Sequence, residues 1–157
     1  MWSPTLVQGA VGMLPSKPKR PANGSGGAIY VSGNTATPQI TECVFSRNGY
    51  PLYQTSKGAG IQAQFNAHPV VQSCTFYGNM ADWGSALYLQ DANISVANSL
   101  VAFNYDGFTG YAVYCLGSGN IDLVCCDVYG NLPSNYGTYG DQTGFNDNIS
   151  EDPRFCD

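Results

Sequence analysis

Hydrophobic positions in this chain recur with a period of two, in short runs. Ala28-Ile29-Tyr30-Val31, Gly60-Ile61-Gln62-Ala63, Ala86-Leu87-Tyr88-Leu89 and Ala112-Val113-Tyr114-Cys115 share one pattern, the mark of a strand with one buried face. Ile29, Ile61, Leu87 and Val113 are placed inward, with Val31, Ala63, Leu89 and Cys115. Tyr30, Gln62, Tyr88 and Tyr114 are placed outward. A second strip follows each run: Cys43-Val44-Phe45-Ser46-Arg47-Asn48, Cys74-Thr75-Phe76-Tyr77-Gly78-Asn79, Ser99-Leu100-Val101-Ala102-Phe103-Asn104 and Cys126-Asp127-Val128-Tyr129-Gly130-Asn131. These share [Cys/Ser]-x-[Phe/Val]-x-x-Asn, with closing asparagines 31, 25 and 27 residues apart. Ile40, Val71, Val96 and Leu123 stand three residues before each Cys or Ser, and Pro38, Pro69, Ile94 and Ile121 five before. No helical period is sustained anywhere in the repeat.

A fixed repeat of this length is read before any local structure. One unit of two or three short strands cannot bury its own apolar face. Stacked units can, each pairing its backbone with the next at about 4.8 Å. Like residues then lie above like, which gives four internal ladders: Ile29/Ile61/Leu87/Val113, Ile40/Val71/Val96/Leu123, Cys43/Cys74/Ser99/Cys126 and Phe45/Phe76/Val101/Val128. Asn48, Asn79, Asn104 and Asn131 fall where a strand ends, and a left-handed turn conformation is expected of them. The architecture so predicted is an all-β parallel β-helix, a solenoid of about four coils. Residues 1–25 lack the pattern and, with Pro15, Pro18 and Pro21, read as a linker or loose cap. Residues 26–131 are the coils. Residues 132–157 leave the repeat and read as a partial C-terminal cap over an edge that must be covered.

Units of the form Gly-Gly-x-Ile-Tyr…Pro-x-Ile-x-x-Cys-x-Phe-x-x-Asn resemble the right-handed parallel β-helix repeats of bacterial secreted and surface proteins. The tail Asn148-Ile149-Ser150-Glu151-Asp152-Pro153-Arg154-Phe155 is similar to a segment that often closes such arrays. The resemblance runs from about Gly26 onward. It implies a right-handed solenoid, an exported parent protein longer than this chain, and a secreted or cell-surface location. The repeat is shared by adhesin-like, structural and carbohydrate-active proteins, so it does not choose among them.

Composition narrows the chemistry. Charged residues are 11% of the 157, with six Lys+Arg against eleven Asp+Glu and a net charge of -5. That excludes charge-driven disorder and argues against nucleic acid, which needs a basic footprint. No apolar run approaches the roughly 20 residues that span a bilayer. Lys17, Lys19 and Arg20 follow the apolar Leu6–Leu14 rather than precede it, the reverse of a secretory signal. The six cysteines show no zinc spacing, and neither a metal nor a cofactor is expected. Cys43, Cys74 and Cys126 read as small core residues, whereas Cys125, adjacent to Cys126, should face outward as the most reactive thiol. His68, the single histidine, reads as a corner residue. The triplets at Asn23, Asn93 and Asn148 match an acceptor pattern that Asn-rich turns produce by chance.

The resemblance would carry over an Asp-Asp pair and a Gly-His-Gly for the hydrolases of this fold, and an acidic Ca²⁺ cluster with a neighbouring base for the lyases. Neither set is present. One constellation stands out for ligand binding: Asp82 and Trp83 after Asn79, and Tyr105 and Asp106 after Asn104. They should share one corner on successive coils, an aromatic platform beside acceptor oxygens that suits a neutral sugar. Tyr50-Pro51-Leu52-Tyr53, in the longest insertion, would border it. The expected function is a non-catalytic surface or secreted module that binds glycan or another cell-surface component weakly. A structural spacer of a longer array, and a remnant of a polysaccharide lyase or hydrolase, are the alternatives.

Overall fold

The computed structural model describes residues 6–12 as backbone, and residues 27–49, 57–138 and 140–155 in full. These residues form strands and turns and contain no helix. In chain order the strands are β1 (Leu6–Gly12), β2 (Ile29–Ser32) and β3 (Gln39–Ser46), then β4 (Ile61–Gln64), β5 (Val70–Gln72), β6 (Thr75–Tyr77) and β7 (Met80–Ala81). A further coil holds β8 (Leu87–Gln90), β9 (Asn93–Ala97), β10 (Leu100–Ala102) and β11 (Tyr105–Asp106). After it come β12 (Tyr111–Leu116), β13 (Asn120–Val124), β14 (Asp127–Tyr129) and β15 (Ser134–Tyr136).

Each strand pairs in parallel with its counterpart one coil away. The first face stacks β2, β4, β8, β12 and β15. A second stacks β3, β5, β9 and β13, and a third stacks β3, β6, β10 and β14. β3 serves both because Glu42, at φ 54°, bends it in the middle. The register is the one the repeat predicts. Ile29 pairs with Ile61, Ile61 with Leu87 and Leu87 with Val113. Ile40, Val71, Val96 and Leu123 form the second column, and Phe45, Phe76, Val101 and Val128 the third. The Phe45 and Phe76 rings stack at 4.6 Å with 3° between planes. Burial of such side chains stabilises by about 1.5–3 kcal/mol each.

Two corners repeat on every coil, and both are built alike. One residue adopts left-handed backbone, and the side chain after it accepts the N–H of the equivalent residue one coil earlier. At the first corner the left-handed residues are Glu42, Ser73, Asn98 and Cys125. Cys43 N–H then donates to Cys74 Sγ (3.4 Å), Cys74 N–H to Ser99 Oγ (3.0 Å) and Cys126 N–H to Asn148 Oδ1 (2.9 Å). This explains why Cys, Ser and Asn alternate in one column: each is small and has an acceptor at the right reach. At the second corner the left-handed residues are Arg47, Gly78, Phe103 and Gly130. The asparagines themselves are not left-handed, contrary to expectation. Their task is hydrogen bonding from helix interior to corner, which only the residue after the bend can do. Asn48, Asn79 and Asn104 each donate N–H and Nδ2 to the Oδ1 of the next asparagine, at 2.8–3.0 Å.

The outward tyrosine column needs correction. The alternation holds, but only Tyr30 is open to solvent, at 49% exposure; Gln62, Tyr88 and Tyr114 are buried. The outer side of the first face is covered. Lys57 places its ammonium 5.2 Å above the Tyr88 ring, and Trp83 and Tyr111 pack on Tyr114. A period-two pattern states which side of a strand a residue takes, not what else covers that side.

Both ends of the chain add to the stack. Within the stretch set apart as a linker or loose cap, β1 pairs with β3, with Val7 opposite Ile40 and Val11 opposite Phe45. Beyond Asn131, Tyr136 pairs with Val113, and Asn135 Oδ1 accepts Asn131 N–H and Nδ2. Asn148 and Ile149 then continue the cysteine corner and the third face. The tail turns back along that face, and Phe155 packs edge-on against Tyr77 at 5.0 Å.

Candidate functional site

β7 and β11 are the two-residue strands that carry the predicted corner. Tyr105 pairs with Met80 and Asp106 with Ala81, so the four candidates do come from adjacent coils. Their chemistry differs from expectation. Asp106 is 1% exposed and Asp82 3%; neither stands in solvent as an open acceptor. The Asp106 carboxylate receives four hydrogen bonds. Oδ1 accepts the N–H of Phe108 (2.9 Å) and Gly110 (2.8 Å); Oδ2 accepts Gly84 N–H (2.8 Å) and the Thr109 hydroxyl (2.7 Å). It is the pin of a tight loop. An aspartate in that position closes its own turn by local side-chain bonds.

The loop is fixed to the coil before it as well. Gly107 N–H donates to Ala81 O and Thr109 N–H to Asp82 O. Gly84 sits at φ +59°, and a Cβ there would lie 2.4 Å from Leu87 O. Only glycine fits where the chain turns from the corner into β8 while handing its N–H to Asp106.

The aromatic part of the site is larger than expected. Trp83 packs on Phe108 (centroids 5.2 Å, 37°) and on Tyr114 (5.8 Å, 65°). Tyr114 stacks in turn on Tyr111 (5.9 Å) and Tyr88 (6.0 Å). Trp83 is half-buried, and Tyr105 on the next coil is exposed. Phe108, which the sequence reading passed over, is 57% exposed. Its signal was present: an aromatic between Asp106 and Thr109 lies inside an Asx-type turn, which holds a side chain up from the surface. Burial pushes the Tyr88 hydroxyl up to about 12, which fits a ring enclosed under this cluster. The insertion Tyr50-Pro51-Leu52-Tyr53 lies outside the described residues.

The other candidates fall out simply. His68 Nε2 accepts a hydrogen bond from Asn93 Nδ2 at 2.8 Å in an exposed position. Among the described residues no group of three or more His, Cys, Asp or Glu side chains is placed to hold a metal ion. Cys43, Cys74, Cys115 and Cys126 are buried and Cys125 is exposed; burial pushes the Cys74 and Cys126 thiols up. In the folded protein a maleimide should therefore modify Cys125 well before Cys43, Cys74 or Cys126, as read by peptide mapping. Equal modification of all four would mean that the cysteine column is not internal.

The sequence model of the right-handed β-helix region matches residues 21–150. Searches of curated proteins and of solved structures return no match. With parallel ladders and repeated corners in register among the described residues of that stretch, the chain belongs to the right-handed β-helix region family.

Proposed function

We propose that the chain is a non-catalytic module of a secreted or cell-surface protein, and that it binds a neutral glycan on the ledge formed by Trp83 and Phe108. The observation that carries this reading is the exposure of Phe108 on a loop pinned at four points by one buried carboxylate. Other rings are exposed on this chain, and Phe108 is set apart by its contact with Trp83 and by the loop that holds both in one apolar patch. A flat aromatic face suits the C–H face of a sugar ring. The non-catalytic part is supported by the carboxylates. Glycoside hydrolysis uses two carboxyls across the scissile bond, and both Asp106 oxygens are taken up by its own loop and by Gly84 of the coil before.

The test is a titration with neutral oligosaccharides, followed by tryptophan fluorescence. Phe108→Ala and Trp83→Ala should each weaken binding about tenfold, the order of one good aromatic contact. Trp83→Ala also shows how much signal comes from Trp2. Undiminished binding in both variants would remove the site, and new reducing ends in the mixture would remove the non-catalytic reading.

A further inference from the structure

The outer side of the third face carries an aromatic slot where its strands reach the second corner. In the register column Tyr77/Ala102/Tyr129, the middle coil places an alanine between two tyrosines. The two tyrosines therefore stand two coil steps apart, about 9–10 Å. The Phe103 ring stands between them, edge-on to Tyr77 (6.0 Å, 79°) and to Tyr129 (5.7 Å, 83°). We propose that this slot is a docking site for an aromatic side chain on a peptide segment of another polypeptide, and that the chain's own tail, through Phe155, is its intramolecular occupant.

The first argument is how the slot is built. Phe103 takes left-handed backbone, at φ 55°, on a corner where Gly78 and Gly130 do so on the neighbouring coils. That backbone is disfavoured for a bulky residue, and it points to a use for the side chain it places. The next coil makes room for the ring: a Cβ at Gly130 would lie 2.9 Å from it.

The second argument is the occupant already there. Phe155 packs against Tyr77 at 5.0 Å and against Phe103 at 6.2 Å. The slot thus takes a phenylalanine presented by a short segment outside any strand. That segment is lightly held. Its last ties to the coils are Ser150 Oγ to Val128 O and Glu151 N–H to Asp127 Oδ1. Beyond them, Arg154 N–H bonds Asp152 Oδ1 within the tail itself, and Phe155 stays half-exposed. A segment with few buried contacts opens at little cost in free energy, so a second aromatic segment can compete for the slot.

Fluorescence anisotropy with a labelled peptide of the sequence 150–155 tests the assignment. The peptide should bind the Phe155→Ala chain saturably. Wild type should bind it at least about tenfold more weakly, because a short tether keeps the tail at a high effective concentration. A peptide with alanine in place of its phenylalanine should not bind. Adding Phe103→Gly to Phe155→Ala should abolish binding; glycine already serves this corner on two coils, so folding should survive. Adding Trp83→Ala instead should change nothing, which separates the slot from the ledge. No binding to Phe155→Ala, equal binding to wild type, equal binding of the alanine peptide, or indifference to Phe103→Gly would each overturn the proposal. Circular dichroism checks that Phe155→Ala folds. If it does not, wild type titrated to millimolar peptide decides alone: saturable binding that the alanine peptide lacks supports the slot, and its absence overturns it.

Discussion

Asn79→Ala should destabilise the protein by roughly 3–6 kcal/mol, a large share of the 5–15 kcal/mol typical of a whole domain. The figure follows from the bonds that disappear. Asn79 Oδ1 accepts both the N–H and the Nδ2 of Asn48, and Asn79 Nδ2 donates to Phe45 O at 2.8 Å. Alanine leaves those three groups buried and without that partner, at about 1–3 kcal/mol each. Asn104 Oδ1 still receives Asn79 N–H (2.9 Å) but loses Asn79 Nδ2 (2.9 Å), so the ladder breaks on the Asn48 side and is weakened on the Asn104 side. The measurement is the shift in urea midpoint at unchanged slope. Asn34→Ala is the control, because Asn34 takes part in an exposed amide pair with Asn66; its effect should stay within about 0.5 kcal/mol. Comparable losses at both positions would mean that the buried ladder contributes nothing beyond an ordinary surface bond.

Phe76→Ala should cost about 3–5 kcal/mol. Its ring is fully buried, stacked on Phe45 and in register with Val101. The cavity cannot close by a shift of the backbone, because β6 is hydrogen-bonded between β3 and β10. Thr75→Ala, on the opposite side of the same strand, should change stability by no more than about 0.5 kcal/mol. The contrast matters more than either value. A slip of one residue reverses every side chain in a strand, so equal losses would overturn the register of the third face.

Much of the candidate corner was legible, but not its roles. Asp106 was found because it follows Asn104 at nearly the offset by which Asp82 follows Asn79. Its type suggested an open acceptor. What type cannot convey is that the N–H groups of Phe108 and Gly110, and of Gly84 a coil away, converge on it. Phe108 was missed for the complementary reason: it belongs to no repeated column, and its exposure arises from the pinned loop. The outward tyrosines show the same limit. Tyr30 and Tyr88 take equal places in the pattern, yet one is open and the other lies beneath Lys57.

The sequence by itself determined the stacking. A period of two sets which side of each strand is inside, and recurrence every 25 to 31 residues sets which residues lie above one another. Both are local or periodic properties, and parallel pairing one coil apart is the arrangement that buries every unit's apolar face. Tertiary structure alone decided what covers the outside of the solenoid. The Asp106 loop, the Trp83 cluster and the returning tail depend on non-repeated residues meeting across coils. Whether a carboxylate is an anchor or an open acceptor is decided by the donors that reach it, and for Asp106 these are its own loop and Gly84 of the coil before.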